Sequence, residues 1–252
     1  MSVQDHFSGV AATYAASRPA YPAVLFDTIA AHVRAPAHVW EPGCGSGQAT
    51  RELATRFAHV HATDPSERQL AEHWARGEPS ANVTLTCESA ERTWLFDASV
   101  DLVAVAQAMH WFDVPAFFAE CERVLRPGGV LAAWGYDDFD VPDGRATAVE
   151  PFRARIEADW PAERAFIKRH YIDFDWPFEA VASPPLQLAV DWRFDRFVGY
   201  LASFSAVVQH RARTGDDAVA LHVEALREAW GDPSAMRRIT WPLFLHLRRK
   251  PG

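Results

Sequence analysis

Cysteine is scarce in this 252-residue chain. Its three copies, Cys44, Cys87 and Cys121, stand far apart and are odd in number. No disulfide framework or zinc spacing follows, and a reducing, cytoplasmic setting is expected. Basic runs are missing as well: 25 Lys and Arg face 33 Asp and Glu, a net charge of −8, which argues against nucleic acid as a partner. No apolar run approaches membrane-spanning length, and the first residues lack the basic-then-apolar order of a secretory signal, so no membrane is expected. Internal repeats and low-complexity tracts are absent too. What remains is 49% apolar and 23% charged, a globular composition long enough for one large domain or a domain with an insertion.

One stretch organises the chain: Val39-Trp40-Glu41-Pro42-Gly43-Cys44-Gly45-Ser46-Gly47-Gln48. An apolar run ends in an acid, glycines alternate, and Ala49-Thr50-Arg51-Glu52-Leu53 starts a helix. This is a strand, a tight turn and a helix N-terminus, the opening of a nucleotide-type site at the edge of a parallel sheet. The glycines read G-x-G-x-G instead of the dinucleotide G-x-G-x-x-G, and Glu41 stands two residues before the first. A carboxylate there repels a diphosphate and suits a cationic amine. S-adenosylmethionine (SAM) has an amine, a sulfonium and no phosphate. The stretch resembles motif I of the class I SAM-dependent methyltransferases, within them the type 11-like small-molecule enzymes and the trans-aconitate methyltransferase-like proteins.

Upstream, Asp5-His6-Phe7 to Tyr14 and Arg18-Pro19-Ala20-Tyr21-Pro22 form an arm with aromatic anchors and one cation, before a helix expected over 23–33. The arm either packs Phe7, Tyr14 and Tyr21 onto the domain or closes over a ligand. The resemblance implies the second, with Tyr14 and Arg18 at the methionine end of SAM. Downstream, Asp64 ends a second strand, where an acid either binds ribose hydroxyls or caps the helix starting near Ser66. The resemblance favours ribose. After a third strand over 82–87, Glu88-Ser89-Ala90-Glu91 resembles the family's adenine-contacting segment, which implies contacts from Ser89 and Ala90. Arg92-Thr93-Trp94 departs from the usual Leu-Pro there.

Residues 99–107 form a nearly continuous apolar run, as expected of a central strand buried on both faces. Gln107-Ala108-Met109-His110-Trp111-Phe112-Asp113 follows, at the switch point beside the first strand. This phrase also resembles the family and brings Gln107 and Trp111 to the cofactor. Trp111 and Phe112 can wall a sulfonium, since ring faces attract cations. His110 is either a general base or, with Asp113, a cap for the next helix. Leu125-Arg126-Pro127-Gly128-Gly129 turns a helix over 115–124 into a fifth strand.

From 137 to 185 the strand–helix rhythm breaks. Asp137, Asp138, Asp140 and Asp143 lack Ca²⁺-loop spacing, and no metal is expected. Helices are expected near 145–159 and 162–170, then an aromatic-rich segment with Tyr171, Phe174, Trp176 and Phe178. In the resembling family this position holds a substrate lid. Arg153, Arg164, Lys168 and Arg169 either draw a small carboxylic acid or form a solvated face. Residues 186–192 read as a strand, Asp195 opens a helix running past Val208, Asp216 opens another, and 239–247 make a last strand in which Pro242 argues for a bulge or an edge.

The expectation is one domain over 1–252, divided as arm and helix (1–35), cofactor core (36–136), lid (137–185) and closing elements (186–252). Its fold is α/β: a Rossmann-like, mostly parallel sheet of seven strands, the last antiparallel, with helices on both faces and a helical insertion after the fifth. The resemblance implies methyl transfer from SAM to a small-molecule acceptor, a carboxylate or a hydroxyl, by a monomer or homodimer. The rivals are a non-catalytic SAM-binding protein and an NAD-dependent oxidoreductase.

Overall fold

The computed structural model describes residues 18–141 and 145–252. They form two compact units. Of the described residues, 21–137, 165–186 and 243–252 make the larger, and 18–20, 138–141, 145–164 and 187–242 make the smaller.

The larger unit opens with α1 (Ala23–Ala30), which stops short of the expected 33, and β1 (His38–Pro42). Then come α2 (Thr50–Ala54), β2 (His59–Thr63), α3 (Glu67–Ala75), β3 (Val83–Thr86) and β4 (Val100–Ala106). A 3₁₀ turn (Met109–Trp111) leads into α4 (Val114–Val124) and β5 (Leu125–Tyr136). The chain returns through α6 (Arg164–Lys168) and β6 (Glu179–Val181), and closes with the part of β8 (Arg237–Arg249) from Leu243 onward, the part before it belonging to the smaller unit. Helix α5 (Ala146–Ile156) and strand β7 (Leu186–Trp192) lie between these in sequence.

Strand order is β3-β2-β1-β4-β5-β8-β6. The first five run parallel, with Val39 opposite Val60 on one side and Leu102 on the other. β8 is antiparallel to β5, Trp134 facing Leu245. Leu102, Val103, Ala104 and Val105 have no exposed surface, because helices cover both faces of a central parallel strand. Each buried Leu or Val there adds about 1.5–3 kcal/mol of hydrophobic stabilisation. Tyr21 does pack as an anchor: its ring stands edge-on to Trp134 at 5.9 Å.

Three expectations need correction. The described residues hold eight strands in the sheet, not seven. The extra one, β6, is three residues long, too short for any periodicity to show, and pairs antiparallel with β8. Second, the helix opened near Asp195 is two helices, α7 (Phe194–Ala202) and α8 (Ser205–Thr214), because Ser203 turns its hydroxyl back to the Tyr200 carbonyl at 2.6 Å. Third, the cap of α9 (Ala218–Trp230) is Asp217, whose carboxylate accepts from Val219 N and Ala220 N at 3.0 Å. Pro242 precedes the first β5–β8 pair, Tyr136 with Leu243, so its missing N–H breaks no bond of that ladder.

The smaller unit packs α5, α7, α8 and α9 with β7, which pairs with β8. Its core is aromatic: the Phe197 ring stacks on Trp230 at 5.2 Å, and Trp241 Nε1 donates to Tyr200 Oη at 3.0 Å. Buried Asp159 accepts from Arg213 Nε at 2.6 Å and lies 2.7 Å from His210 Nδ1. Arg213 and then His210 hold that carboxyl down at about 2.

Candidate active site at the ends of β1, β2 and β4

Beyond Pro42 the backbone turns sharply, with Gly43, Gly45 and Gly47 all at positive φ (67°, 54° and 78°). Side chains resist that region, but the three glycines serve different neighbours. A Cβ on Gly43 would meet Ala108 Cβ at 2.8 Å and Phe112 Cζ at 3.1 Å, so the loop lies flush against the end of β4. A Cβ on Gly47 would overlap the His73 imidazole. At Gly45 it would meet only Gln69 Oε1, at 3.8 Å. That backbone is open to a ligand.

Two side chains fix the loop from outside. Arg51 donates to the carbonyls of Gly47 at 2.9 Å and Ser46 at 3.3 Å, and to that of His73 at 3.2 Å. Asp64, at the end of β2, accepts from Gly45 N and from Ser66 N, both at 2.9 Å. The capping of α3 falls to Ser66, whose hydroxyl accepts from Gln69 N at 3.4 Å.

Glu41 is the most perturbed acid here. Only 1% of it is exposed, and neither carboxylate oxygen has a hydrogen-bond partner among the described residues. Burial pushes its pKa from 4.5 up to about 8; the nearby Thr50 hydroxyl, outside hydrogen-bond geometry, pulls it down in part, and the negative charge of Asp64 adds to the rise. A buried acid without a partner is costly unless a ligand completes it.

At the end of β4, His110 is buried, and its Nδ1 lies 2.8 Å from Tyr171 Oη. Burial lowers its pKa to about 3, so the imidazole is neutral at pH 7. The same burial raises the Tyr171 phenol, which stays protonated. His110 and Phe112 line a cavity of about 620 Å³ bounded by α4 and by residues 166–177.

A methyltransferase-domain family model matches residues 40–133. A solved structure of a proposed type II methyltransferase from Anaeromyxobacter dehalogenans shares 40% identity, covers 93% of this chain and 99% of its own, and superposes with a TM-score of 0.86. A methyltransferase of Mycobacterium tuberculosis, itself uncharacterized, is 37% identical over 61% of this chain and 69% of its own length. A proposed methyltransferase of Dictyostelium discoideum is 29% identical over 98% and 95%. The chain belongs to the class I SAM-dependent methyltransferases.

SAM fits the site of this methyltransferase, given the open backbone at Gly45 and the unpartnered Glu41 carboxylate. Of the residues singled out from sequence, the larger unit gathers Glu41, the three glycines and Asp64 around one loop. Ser89 is half-buried in a tight turn bridged to Arg92, and Ala90 is buried in the core. Two buried acids hold that turn: Glu88 accepts from Trp94 N at 3.0 Å, and Glu120 from Thr93 N at 2.7 Å. Gln107 has a positive φ of 53°, and its amide bonds both backbone groups of Tyr136 at 2.8 Å. It therefore straps the ends of β4 and β5 together. Trp111 is half-buried, its ring 4.8 Å from that of His110.

Arg18 belongs to the smaller unit, its guanidinium 5.4 Å from the Tyr200 ring centroid and 5.6 Å from that of Phe204. Tyr14 lies outside the described residues, as does Asp143. Among the described residues no three His, Cys, Asp or Glu gather as a metal site, and no helix is long and apolar enough to cross a membrane. All three cysteines are free.

Arg51, His73 and Tyr171 escaped the sequence reading. Arg51 and His73 lie on ordinary helical positions, and only their convergence on Gly47 gives them a role. Tyr171 was visible only as one aromatic in a segment 61 residues beyond His110.

Proposed function

We propose that this methyltransferase transfers the SAM methyl to a small molecule, with the cofactor held across the glycine loop. One observation carries the placement: the buried Glu41 carboxylate has no hydrogen-bond partner among the described residues. In this reading Glu41 and the open Gly45 backbone take the amine end, and Asp64, at the end of β2 beside the loop, takes the ribose hydroxyls. Ser89 and Ala90 border the adenine, and Trp111 walls the sulfonium. Tyr14 and Arg18 are assigned to the methionine end by resemblance alone. Gln107 shapes the rim.

When bound, SAM supplies an electrophilic methyl on a sulfonium. The chain's part is to align the acceptor and keep water out. His110, neutral and fixed through Nδ1, orients the acceptor through Nε2. A group with a pKa of about 3 holds a proton too weakly to store one at pH 7. The free cysteines support a reducing, cytoplasmic setting.

The test is calorimetric titration with SAM, S-adenosylhomocysteine (SAH) and NAD, followed by methyl-transfer assays over an acceptor panel. SAM and SAH should bind and NAD should not. Binding of NAD alone would sink the reading.

A further inference from the structure

The cavity beside His110 has a chemistry of its own. Phe112, Phe118, Phe166 and Phe174 line it, and so do Asp113, Asp173 and Asp175. Aromatic faces draw cations, and carboxylates repel anions. Among the described residues Arg169 pairs with Asp173. Asp113 turns one oxygen to Ala116 N at the start of α4, and the imidazole of His110 adds no positive charge at pH 7. Two other arginines expected to attract a carboxylic acid are held by their own partners. Arg153 donates to the Phe139 carbonyl and pairs with Glu150 at 2.9 Å, and Arg164 pairs with Asp138 at 2.9 Å.

The cavity also touches the cofactor loop. Phe112, one of its walls, is the ring against which Gly43 is packed. His110 is buried, and Tyr171 holds its Nδ1, which leaves Nε2 as the polar atom of that ring.

We propose that this cavity is the acceptor site and selects a flat apolar molecule bearing an ammonium group over one bearing a carboxylate. The inference rests on the methyl-transfer reading and narrows its substrate class. The ammonium is a recognition handle: the rings stack on the apolar part while Asp173 and Asp175 attract the charge.

The experiment uses matched probes, phenethylamine and 3-phenylpropionate, titrated into the full chain with saturating SAH and followed by ligand-observed NMR. The amine should bind about tenfold more tightly, the scale of one favourable cation–ring contact plus charge attraction. The preference should fall to about twofold in the Asp173→Asn/Asp175→Asn variant, and both probes should weaken in Phe174→Ala. SAH affinity should stay unchanged in both variants, which also shows that they fold. Equal or tighter binding of the carboxylate, or an amine preference indifferent to the Asp substitutions, overturns the proposal. A wild-type chain that does not bind SAH would sink the methyl-transfer reading instead, and the acceptor role with it.

Discussion

Glu41→Gln is the sharpest perturbation of the cofactor site. In the folded chain without ligand the Glu41 carboxyl titrates at about 8, against 4.5 ordinarily. That displacement corresponds to about 5 kcal/mol between the two protonation states. Between those two pH values the folded chain holds a proton that the unfolded chain has released. The Glu41 contribution to stability therefore falls as pH rises through this window, at up to about 1.4 kcal/mol per pH unit, and levels off above the folded pKa. Gln mimics the protonated acid, so this contribution should be missing from the variant's slope and the variant should exceed the wild type in stability at pH 8. Urea denaturation at several pH values between 5.5 and 8 measures this directly. Binding supplies a second readout. If the ligand's ammonium meets Glu41, the carboxyl ionises on binding and SAH uptake at pH 7 releases about one proton. Calorimetry in two buffers of different ionisation enthalpy reads that proton, and Gln should abolish it. Equal stability slopes, or equal proton release, in wild type and Glu41→Gln would refute the reasoning.

Gly45→Ala and Gly47→Ala should separate affinity from stability. At Gly45 only backbone strain of about 1–2 kcal/mol is added, while SAH affinity drops at least tenfold because the methyl fills the open face. At Gly47 the overlap with buried His73 adds about 1–3 kcal/mol to similar strain, a loss of roughly 4–15 °C in Tm by thermal denaturation. Equal effects at the two positions would contradict these assignments. Tyr171→Phe keeps the packing but removes the 2.8 Å bond to His110, so methyl-transfer kcat should fall about three- to tenfold with SAH affinity unchanged in calorimetry. Gln107→Ala deletes both bonds to Tyr136 and should cost about 1–3 kcal/mol in urea denaturation.

Much was legible before any coordinates because it depends on local pattern. The apolar run before Gly43 and the one over 99–107 can only be buried strands, and they became β1 and β4. The alternating glycines announced their positive φ, since no other residue adopts it cheaply three times in five positions. Glu41 before them and Asp64 at the next strand end came to lie beside the glycine loop. Those signals come from residues adjacent in sequence, so backbone geometry alone converts them into a turn and a helix entry.

Tertiary structure decided what depends on distant partners. Strand order joined β4 to β1 and so laid Phe112 against Gly43. Packing paired His110 with Tyr171, and the desolvation that followed keeps the imidazole neutral at pH 7. Whether Asp64 capped a helix or tied down the loop also turned on a donor 19 residues away, Gly45 N. The arginines of the insertion looked like bait for a carboxylate, and folding spent Arg153, Arg164 and Arg169 on neighbouring acids. A side chain's charge is written in the sequence; what neutralises or buries that charge is set only once distant segments meet.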